Sequence, residues 1–572
     1  MYSTTVTTTS ASVPRLAGAR LFIELAAIFA LSFLVIFLAM DRNVSLYDEG
    51  IILTGAMRVG AGDIIHRDFY ANYGPAQFYI VAWFLKIFGH HVLAERAFDL
   101  LVRAGIATVI YGALVHYASR RSAAVATIVC VAWLSTVGNH GYPVYPALLL
   151  ALASTLIMTA VIARGLSVWH AFAAGIVTGT ATLFRYDIGF FIFIAHTLTM
   201  AVLLLASRKR SPRLAGYVAK NVMVYACGVG LPVLMILLLY VKLDAFSAFV
   251  QDVIEFPAKY YKRTRSLPFP PVSNLGKLPL FAIYIPVLVC ITAIVGFLGR
   301  QLNGSLKLDT YLGSRNIAAE RMILAFFLTA LVAIFYLKGI VRVSLDHMQL
   351  ALLPAIMLLS LVFAMVKPEK TWFRGASGLL VLLCIVTAFL SGYKKLAYNY
   401  DLVLRYALHS LKAVAGSGNT DGRNDDQKEA IYPASSSLIF IDGERARALD
   451  FIRKNFGTAE YFYAGLTHHD KVFVNDVSVY FMVNKLPATK WNHFDPGLQS
   501  SARIQSQIIS DLEQRKPGYV WLESTWEKSN EPNESALSSG VTILDTYFLK
   551  NYVLTKKFGM ISILQRKPGP AN

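Results

Sequence analysis

The chain has 572 residues, of which 55% are hydrophobic and only 16% are charged, and its mean hydropathy is +0.50. This composition is too apolar for a soluble globular protein, and the chain is too long for a single span, so we predict a polytopic membrane protein. We attribute the formal net charge of +19 to membrane orientation and to anionic lipid headgroups, not to nucleic-acid binding.

Apolar runs long enough to cross the hydrocarbon as helices predict about eleven membrane spans. The first run, LFIELAAIFALSFLVIFLAM, covers residues 21–40 and follows a polar Ser/Thr stretch. No small-residue cleavage site follows it, so we expect a retained span and not a removed signal peptide. The other runs centre on residues 98–117, 122–138, 144–163, 168–184, 188–206, 220–241, 279–298, 322–337, 347–366 and 375–391.

The distribution of basic residues predicts which loops face the cytoplasm. Lysines and arginines concentrate in alternate loops, beginning with the N-terminus, and such loops are normally cytoplasmic. The predicted cytoplasmic set comprises Arg120, Arg121, Arg164, Arg208, Lys209, Arg210, Arg213, Lys220, Arg300, Lys307, Arg315, Arg321, Lys367, Lys370 and Arg374. We therefore expect a cytoplasmic N-terminal tail at residues 1–20, a membrane domain at 21–391 and a first outer loop at 41–96, in a bacterial plasma (inner) membrane.

A change of composition near residue 392 predicts a separate tail. Residues 392–435 are polar and include GSGNTDGRNDDQKEA, which is typical of a flexible linker. In residues 436–572, strand-like and helix-like patterns alternate, for example SLIFI, ERARALDFIRKNF, IQSQIISDLEQRK and YVWLE. The predicted fold class is thus an all-α polytopic membrane domain with a C-terminal extracytoplasmic α/β domain.

The first outer loop carries an unusual set of polar residues. Asp48 and Glu49 stand side by side after the first span, and His66-Arg67-Asp68 and Tyr73-Gly74-Pro75 follow before Glu95-Arg96 opens the second span. The acidic pair is compatible with a solvated helix end or with a cap for the next segment. A loop of this length with paired acids, basic residues and interfacial aromatics favours a folded site on the membrane surface.

These residues resemble a known family. One outer loop contains, in order, a YDE-type acidic pair, G-D-x-x-x-R-D-F, Y-G-P and x-E-R. This order of motifs resembles the first outer loop of GT-C fold glycosyltransferases, specifically the bacterial relatives of protein O-mannosyltransferases and aminoarabinose transferases. The resemblance is best over residues 40–240, and the tail patterns FDPG (494–497) and N-Y-x-x-x-x-x-F-G (551–559) look similar to tails of the same group. It implies transfer of a sugar from a polyprenyl-phosphate carrier to an acceptor on the outer face.

The resemblance also implies roles for the acids of the first outer loop. An acceptor hydroxyl is a weak nucleophile and needs a base, whereas a departing phosphate needs only cationic stabilisation. By match to the family's acid, Asp48 is the predicted general base of an inverting displacement, and Glu49 is the neighbour that orients groups or modulates its pKa. Asp68 matches a later acid of the loop, and it is equally compatible with pairing to Arg67 or capping a turn.

Cations at the outer ends of spans are candidates for binding the donor phosphate. The predicted donor site comprises Arg67, Arg96, Arg185, Arg342 and His347, and the predicted substrate loop comprises Tyr73, Gly74, Pro75 and Asp187. Arg185 and Asp187 are also compatible with a simple ion pair, and His347 with an interfacial histidine. Residues 249–271 mix aromatic and basic side chains with prolines, which suits either headgroup anchoring or gating of lipid access.

Other functional classes fit the sequence less well. A polytopic transporter or lipid-linked-sugar flippase is the alternative, but we see neither an internal repeat nor polar residues near mid-membrane. A receptor or scaffold that uses the tail stays open. We interpret the tail itself as an acceptor-binding or regulatory module. There is no P-loop and no H-E-x-x-H motif, and the consecutive His468-His469-Asp470 do not suit one metal ion, so no metal site is predicted. No cofactor is required, although the acidic pair is compatible with a divalent cation. The expected partners are the polyprenyl-phosphate sugar, a lipid, glycan or protein acceptor and membrane lipids.

Overall fold

The computed structural model describes residues 15–136, 140–208, 211–270, 278–302, 316–365, 371–414, 430–431, 439–457, 460–471, 474–495, 497–527 and 531–568. Helices make up the N-terminal part of the chain. In chain order they are α1 (Arg15–Ala39), α2 (Asp48–Gly60), α3 (Pro75–Phe88), α4 (Val92–Tyr117), α5 (Arg120–Leu134), α6 (Val144–Arg164), α7 (Val168–Phe184), α8 (Tyr186–Arg208), α9 (Pro212–Lys242), α10 (Phe246–Val250), α11 (Lys262–Arg265), α12 (Ile285–Leu302), α13 (Ile317–Gly339), α14 (Leu345–Met365) and α15 (Thr371–Val414).

The long helices form a multi-pass membrane domain. Within the described ranges, nine helices are long and apolar enough to cross a membrane, namely α1, α4, α6, α8, α9, α12, α13, α14 and α15. The two remaining predicted spans are also helices, but α5 has 15 residues and α7 has 17. The chain is an integral membrane protein, and all eleven predicted spans correspond to helices.

The boundary between membrane domain and tail differs from the prediction. The last span was expected to end at residue 391, but α15 continues as one helix to Val414. The first part of the predicted linker, residues 392–414, is therefore helical. Most of GSGNTDGRNDDQKEA falls on residues outside the described ranges, and a strand β1 (Ala430–Ile431) begins at its last residue.

The first outer loop and the segment after α9 are helical too. Helices α2 and α3 pack against each other, and α3 packs on α4. After α9, α10 continues through two π-helical turns, Gln251–Glu255 and Pro257–Tyr261, into α11. A 3₁₀ turn, Leu278–Ile283, precedes α12. These segments lie at the end of the bundle where α4, α8 and α14 begin.

The tail is a mixed α/β unit. Its elements are β2 (Phe440–Ile441), α16 (Gly443–Asn455), β3 (Tyr461–Leu466), α17 (Ser478–Val483), β4 (Leu486–Pro487), α18 (Ala502–Arg515), β5 (Tyr519–Glu523), a 3₁₀ turn (Glu534–Ala536), α19 (Ile543–Asn551), β6 (Tyr552–Phe558) and β7 (Ile561–Arg566). The main sheet has the order β4-β3-β5-β7-β6, with β3 parallel to β4 and β5 and the other pairs antiparallel. The predicted α/β class of the tail is confirmed.

The tail packs directly on the first outer loop. Alternate residues of β5 point to opposite faces of the sheet: Trp521 packs with α16, α17 and α2, whereas Val520 and Leu522 pack with α18 and α19. Backbone hydrogen bonds cross this contact from Phe440 N to Arg42 O at 2.7 Å and from Tyr70 N to Lys490 O at 3.1 Å. The outer loop and the tail thus share one hydrophobic core.

Candidate active site

A cavity of about 1070 Å³ opens at the end of the bundle where α4, α8 and α14 begin. Four parts of the chain line it: the first outer loop, the span ends on this side of the bundle, the segment between α9 and α12, and the tail. Its volume lies just above the usual range for small-molecule sites, about 300–1,000 Å³. The cavity therefore has room for a large small-molecule ligand.

Asp48 is the first residue of α2 and lines this cavity. Within the described part of the chain, its carboxylate makes no hydrogen bond and no ion pair. Burial raises the pKa of Asp48 above its usual range, and the nearby carboxylates of Asp346 and Asp495 raise it further. The guanidinium groups of Arg265 and Arg185 oppose this rise. The result is a carboxylate that is more basic than usual and free to accept a proton.

Glu49 points away from the cavity into the protein. Its side chain is fully buried, and it accepts hydrogen bonds from Arg96 Nε at 2.6 Å and from Arg96 Nη2 at 2.8 Å. Arg96 lines the cavity and also donates to the backbone carbonyls of Asp41 and Asn43. This ion pair fixes the connection between α1 and α2 and so places Asp48.

Asp68 and Arg67 lie outside the cavity lining. Arg67 donates from Nε and Nη2 to the two carboxylate oxygens of Asp68, both at 2.9 Å, and the backbone N–H of Ile64 donates to Asp68 at 2.7 Å. Burial raises the pKa of Asp68, but these hydrogen bonds outweigh it and hold the pKa below its usual value. The structure therefore places this pair as a local cap within the loop, apart from Asp48.

A cationic cluster surrounds Asp187 on one wall of the cavity. Arg185 donates to Asp187 at 3.0 Å and to the hydroxyl of Tyr142 at 3.2 Å, and Lys338 lies 3.4 Å from the same carboxylate. The guanidinium of Arg185 lies 5.2 Å from the ring centre of Tyr73, within the range of a cation–π contact. The predicted residues Arg185, Asp187 and Tyr73 are thus brought together.

Gly74 and Pro75 act through packing. Pro75 is the first residue of α3, where a missing N–H costs nothing. Gly74 donates its N–H to Phe184 O at 3.0 Å, and a Cβ at this position would overlap the carbonyl of Leu183. The close approach of α3 to the end of α7 places Tyr73 beside Arg185.

A second cationic cluster joins the membrane domain to the tail. Arg342 donates to Glu531 of the tail at 2.6 and 2.9 Å and to the backbone carbonyl of Arg265 at 3.0 Å. Arg265 in turn donates to Asp495 of the tail at 2.6 and 3.1 Å. All four residues line the cavity. His347, also in the lining, shares a hydrogen bond of 2.7 Å with Ser344.

Arg265, Asp495 and Glu531 were not predicted as site residues. Arg265 was noticed only as one of several basic residues in a loop, and Asp495 only as part of FDPG. Asp495 also accepts hydrogen bonds from Tyr70 at 3.2 Å and from Asn72 at 3.3 Å, both in the first outer loop. The acid of FDPG therefore ties the two large outer loops together at the cavity wall.

A buried network braces the other side of the cavity. His66 is fully buried with a positive φ of 70°, a conformation uncommon for residues other than glycine. Its ring contacts Asp252 at 3.0 Å and the hydroxyl of Tyr186 at 3.1 Å, which reaches Tyr240 at 3.0 Å. The network links the first outer loop to α8, to α9 and to the segment after α10.

One group of side chains among the described residues has the spacing of a metal site. Ligand atoms of His468, Asp470 and Asp545 lie within 4.8 Å of one another in the tail. None of the three lines the cavity. Asp545 already pairs with His469 at 2.6 Å, and Ser538 donates to Asp470.

Comparison with known proteins identifies the fold. No family model matches the chain, and no curated protein sequence matches it. Two crystal structures of ArnT, an aminoarabinose transferase from Cupriavidus metallidurans, match with a TM-score of 0.51 and 12% sequence identity. The structure bound to undecaprenyl phosphate covers 94% of this chain and 97% of ArnT, and the apo structure covers 96% and 98%.

An archaeal protein gives a weaker match. The Archaeoglobus fulgidus oligosaccharyltransferase, tethered to an acceptor peptide, has a TM-score of 0.48 and 9% identity, and covers 95% of this chain and 74% of its own length. This match is too weak to add to the assignment. The two ArnT matches span both the membrane domain and the tail, so this chain has the GT-C fold.

Proposed function

We propose that this protein is a glycosyltransferase that moves a sugar from a polyprenyl-phosphate carrier to an acceptor on the outer face of the membrane. The observation that carries the proposal is the carboxylate of Asp48, which has no partner within the described chain and faces a cavity lined by two cationic clusters. The likeness to ArnT supports it, because one ArnT structure contains undecaprenyl phosphate.

The residues suit a single displacement with inversion. As the acceptor oxygen bonds to the anomeric carbon, its proton passes to Asp48, and the bond from that carbon to the phosphate oxygen breaks. The bonding electrons leave with polyprenyl phosphate, which changes from a singly charged diester to a monoester with up to two negative charges. We assign the stabilisation of that added charge to the two cationic clusters of the cavity lining, Arg265 with Arg342 and Arg185 with Lys338.

The arrangement fits a reaction at the outer surface. The cavity lies where the first outer loop meets the tail, at the end of the bundle that the distribution of basic residues assigns to the outside. With a cytoplasmic N-terminus, the tail is extracytoplasmic, in a bacterial plasma membrane. The proposed mechanism calls for no metal ion or cofactor, because the four cations of these two clusters supply positive charge for the leaving phosphate.

The test is turnover of a panel of polyprenyl-phosphate sugars by purified protein in lipid nanodiscs, read as release of free polyprenyl phosphate. We expect Asp48→Asn to lower turnover by about 10²–10⁴-fold, the usual contribution of a general base. Its fold should survive, because the pKa of Asp48 is raised by burial and a neutral side chain relieves an unfavourable charge.

Asp68→Asn is the matched comparison, since Asp68 is another of the three acids predicted to be catalytic and it lies outside the cavity lining. We expect this variant to retain most of its turnover. Undiminished release by Asp48→Asn would mean that the base lies elsewhere, and loss only in Asp68→Asn would exchange the two roles.

A further inference from the structure

Every arginine and lysine that lines the cavity, within the described ranges, already contacts a carboxylate. The pairs are Arg96–Glu49 at 2.6 Å, Arg185–Asp187 at 3.0 Å, Lys338–Asp187 at 3.4 Å, Arg265–Asp495 at 2.6 Å and Arg342–Glu531 at 2.6 Å. A phosphate that enters the cavity must therefore share a cation with a carboxylate or displace one.

The four carboxylates differ in how readily they can separate from their cations. The side chains of Glu49 and Asp495 are 0% and 5% exposed, so withdrawing either cation would strand a buried charge. Asp187 is 40% exposed, but it holds two cations and is only two residues from Arg185. Glu531 is 36% exposed and holds one cation, on an element 189 residues away in the chain. It is the carboxylate that can move without its partner.

Glu531 also binds Arg342 with the geometry that a phosphate would have. Its two oxygens accept from the two Nη atoms of Arg342, at 2.6 and 2.9 Å, which is the bidentate geometry that a phosphate adopts on a guanidinium. Asn533 donates to one of those oxygens at 2.9 Å and to the carbonyl of Ser266 at 3.0 Å. The carboxylate of Glu531 thus accepts the same two hydrogen bonds from Arg342 that a bound phosphate would accept.

We propose that Glu531 of the tail is a built-in competitor for the phosphate of the lipid carrier, a specificity and release residue that rests on the function proposed above. The donor phosphate displaces the Glu531 carboxylate from Arg342, whereas Asp495 keeps Arg265 in place. After transfer, Glu531 returns to Arg342 and promotes departure of polyprenyl phosphate. The tail therefore lowers the affinity of the site for its own product.

The proposal predicts opposite effects for the two tail acids. Glu531→Gln removes the competing charge, and we expect the Kd for polyprenyl phosphate to fall by about 2–5-fold, the range expected when a competing exposed ion pair is removed. Asp495→Asn frees Arg265 from its position, and we expect the Kd to rise. In turnover, Glu531→Gln should lower KM for the donor without raising kcat, because product release becomes slower.

The probe is polyprenyl phosphate added to the full-length protein in phosphatidylcholine nanodiscs, with polyprenol and phosphatidylglycerol as two comparison lipids. Polyprenol tests whether the lipid chain alone binds, and phosphatidylglycerol tests a general preference for anionic headgroups. Glu534→Gln is the matched control, because Glu534 is exposed, lies three residues from Glu531 and does not line the cavity. We expect it to leave the Kd unchanged.

Two outcomes overturn the inference while leaving the proposed function intact. One is a Kd for polyprenyl phosphate that is unchanged or higher in Glu531→Gln when the wild type binds the lipid. The other is an equal fall in Kd for Glu531→Gln and Glu534→Gln, which would show a general charge effect. A wild type that binds polyprenol and polyprenyl phosphate equally would remove the proposed function and this inference together. If Asp495→Asn does not fold, the comparison of Glu531→Gln with Glu534→Gln still tests whether Glu531 competes with the phosphate.

Discussion

The carboxylate of Asp48 is surrounded by charges that act on its pKa in opposite directions. Burial raises that pKa, Asp346 and Asp495 add to the rise, and Arg265 and Arg185 oppose it. Asp495 is committed to its ion pair with Arg265. Asp346 lines the cavity and makes no hydrogen bond or ion pair within the described residues, so its charge can be removed without breaking one.

We expect Asp346→Asn to move the acid limb of the pH–rate profile to lower pH. A general base works only when ionised, so kcat/KM falls as the pH drops through its pKa. Removing the negative charge of Asp346 weakens the repulsion that raises the pKa of Asp48, and the ionised base then persists to lower pH. The measurement is kcat/KM for the donor between about pH 4 and pH 8, a range that spans an ordinary and a raised carboxylate pKa.

Asp450→Asn is the control for this shift, because Asp450 is an exposed residue of α16 that does not line the cavity. We expect its profile to match the wild type. An acid limb that stays in place in Asp346→Asn, or moves to higher pH, would contradict the assignment of that limb to Asp48.

At the scale of one element, the connection between α1 and α2 depends on a buried ion pair. Arg96, on α4, reaches both oxygens of Glu49 and two backbone carbonyls of the connection. Ser45 N also donates to Glu49 at 2.9 Å. Glu49 was predicted from the sequence to orient groups around Asp48 or modulate its pKa, and in the structure it contacts Arg96 and the connection.

We expect Glu49→Gln to destabilise the protein, because it leaves the guanidinium of Arg96 buried without its counter-charge. Breaking a buried pair in this way typically costs about 3–5 kcal/mol. The measurement is thermal unfolding in detergent, together with turnover per folded molecule. Glu460→Gln, at an exposed position of the tail, should unfold at the wild-type temperature. An unchanged unfolding temperature combined with a shifted pH–rate profile would instead support modulation of the pKa of Asp48.

The parts of the structure that could be predicted are those with a local signal. Hydropathy alone located the spans. The acids and turn residues of the first outer loop pointed to Asp48 and Tyr73, and the charged residues at span ends pointed to Arg185; all three line the cavity. Arg265 pairs with a residue 230 positions away and Arg342 with one 189 positions away. No periodicity or spacing encodes such pairs, because they arise only when the tail packs on the loops.

At the scale of the whole molecule, the tail is a wall of the site. It supplies Asp495 and Glu531 to the cavity and shares a hydrophobic core with the first outer loop. From the sequence, the tail was expected to be an acceptor-binding or regulatory module. The packing predicts that displacing the tail would do more than alter the choice of acceptor. Arg265 and Arg342 would lose their carboxylate partners, and the hydrophobic core between α2 and the tail would be exposed.

Adding one methyl group at Gly50 should displace the tail from α2. Gly50 lies on α2 where the helix meets α17, and a Cβ at this position would overlap Ser478 N and lie 2.8 Å from the carbonyl carbon of Val477. Both are backbone atoms, which cannot rotate away as a side chain would. We expect Gly50→Ala to push α17 from α2, at a cost of about 1–3 kcal/mol for overpacking. Because Asp495 and Glu531 belong to the same tail, turnover should fall together with stability.

Gly60→Ala is the matched control, since it is the same substitution in the same helix and its Cβ would meet no atom within 4 Å. Alanine is the better helix former, so this variant should be neutral or slightly more stable, by up to about 1 kcal/mol. Amide hydrogen exchange in α17 and donor turnover are the two readouts. Faster exchange and lower turnover in Gly50→Ala alone would show that the tail must stay seated on α2 for the site to form. Normal turnover with fast exchange would show that the membrane domain holds the site without the tail.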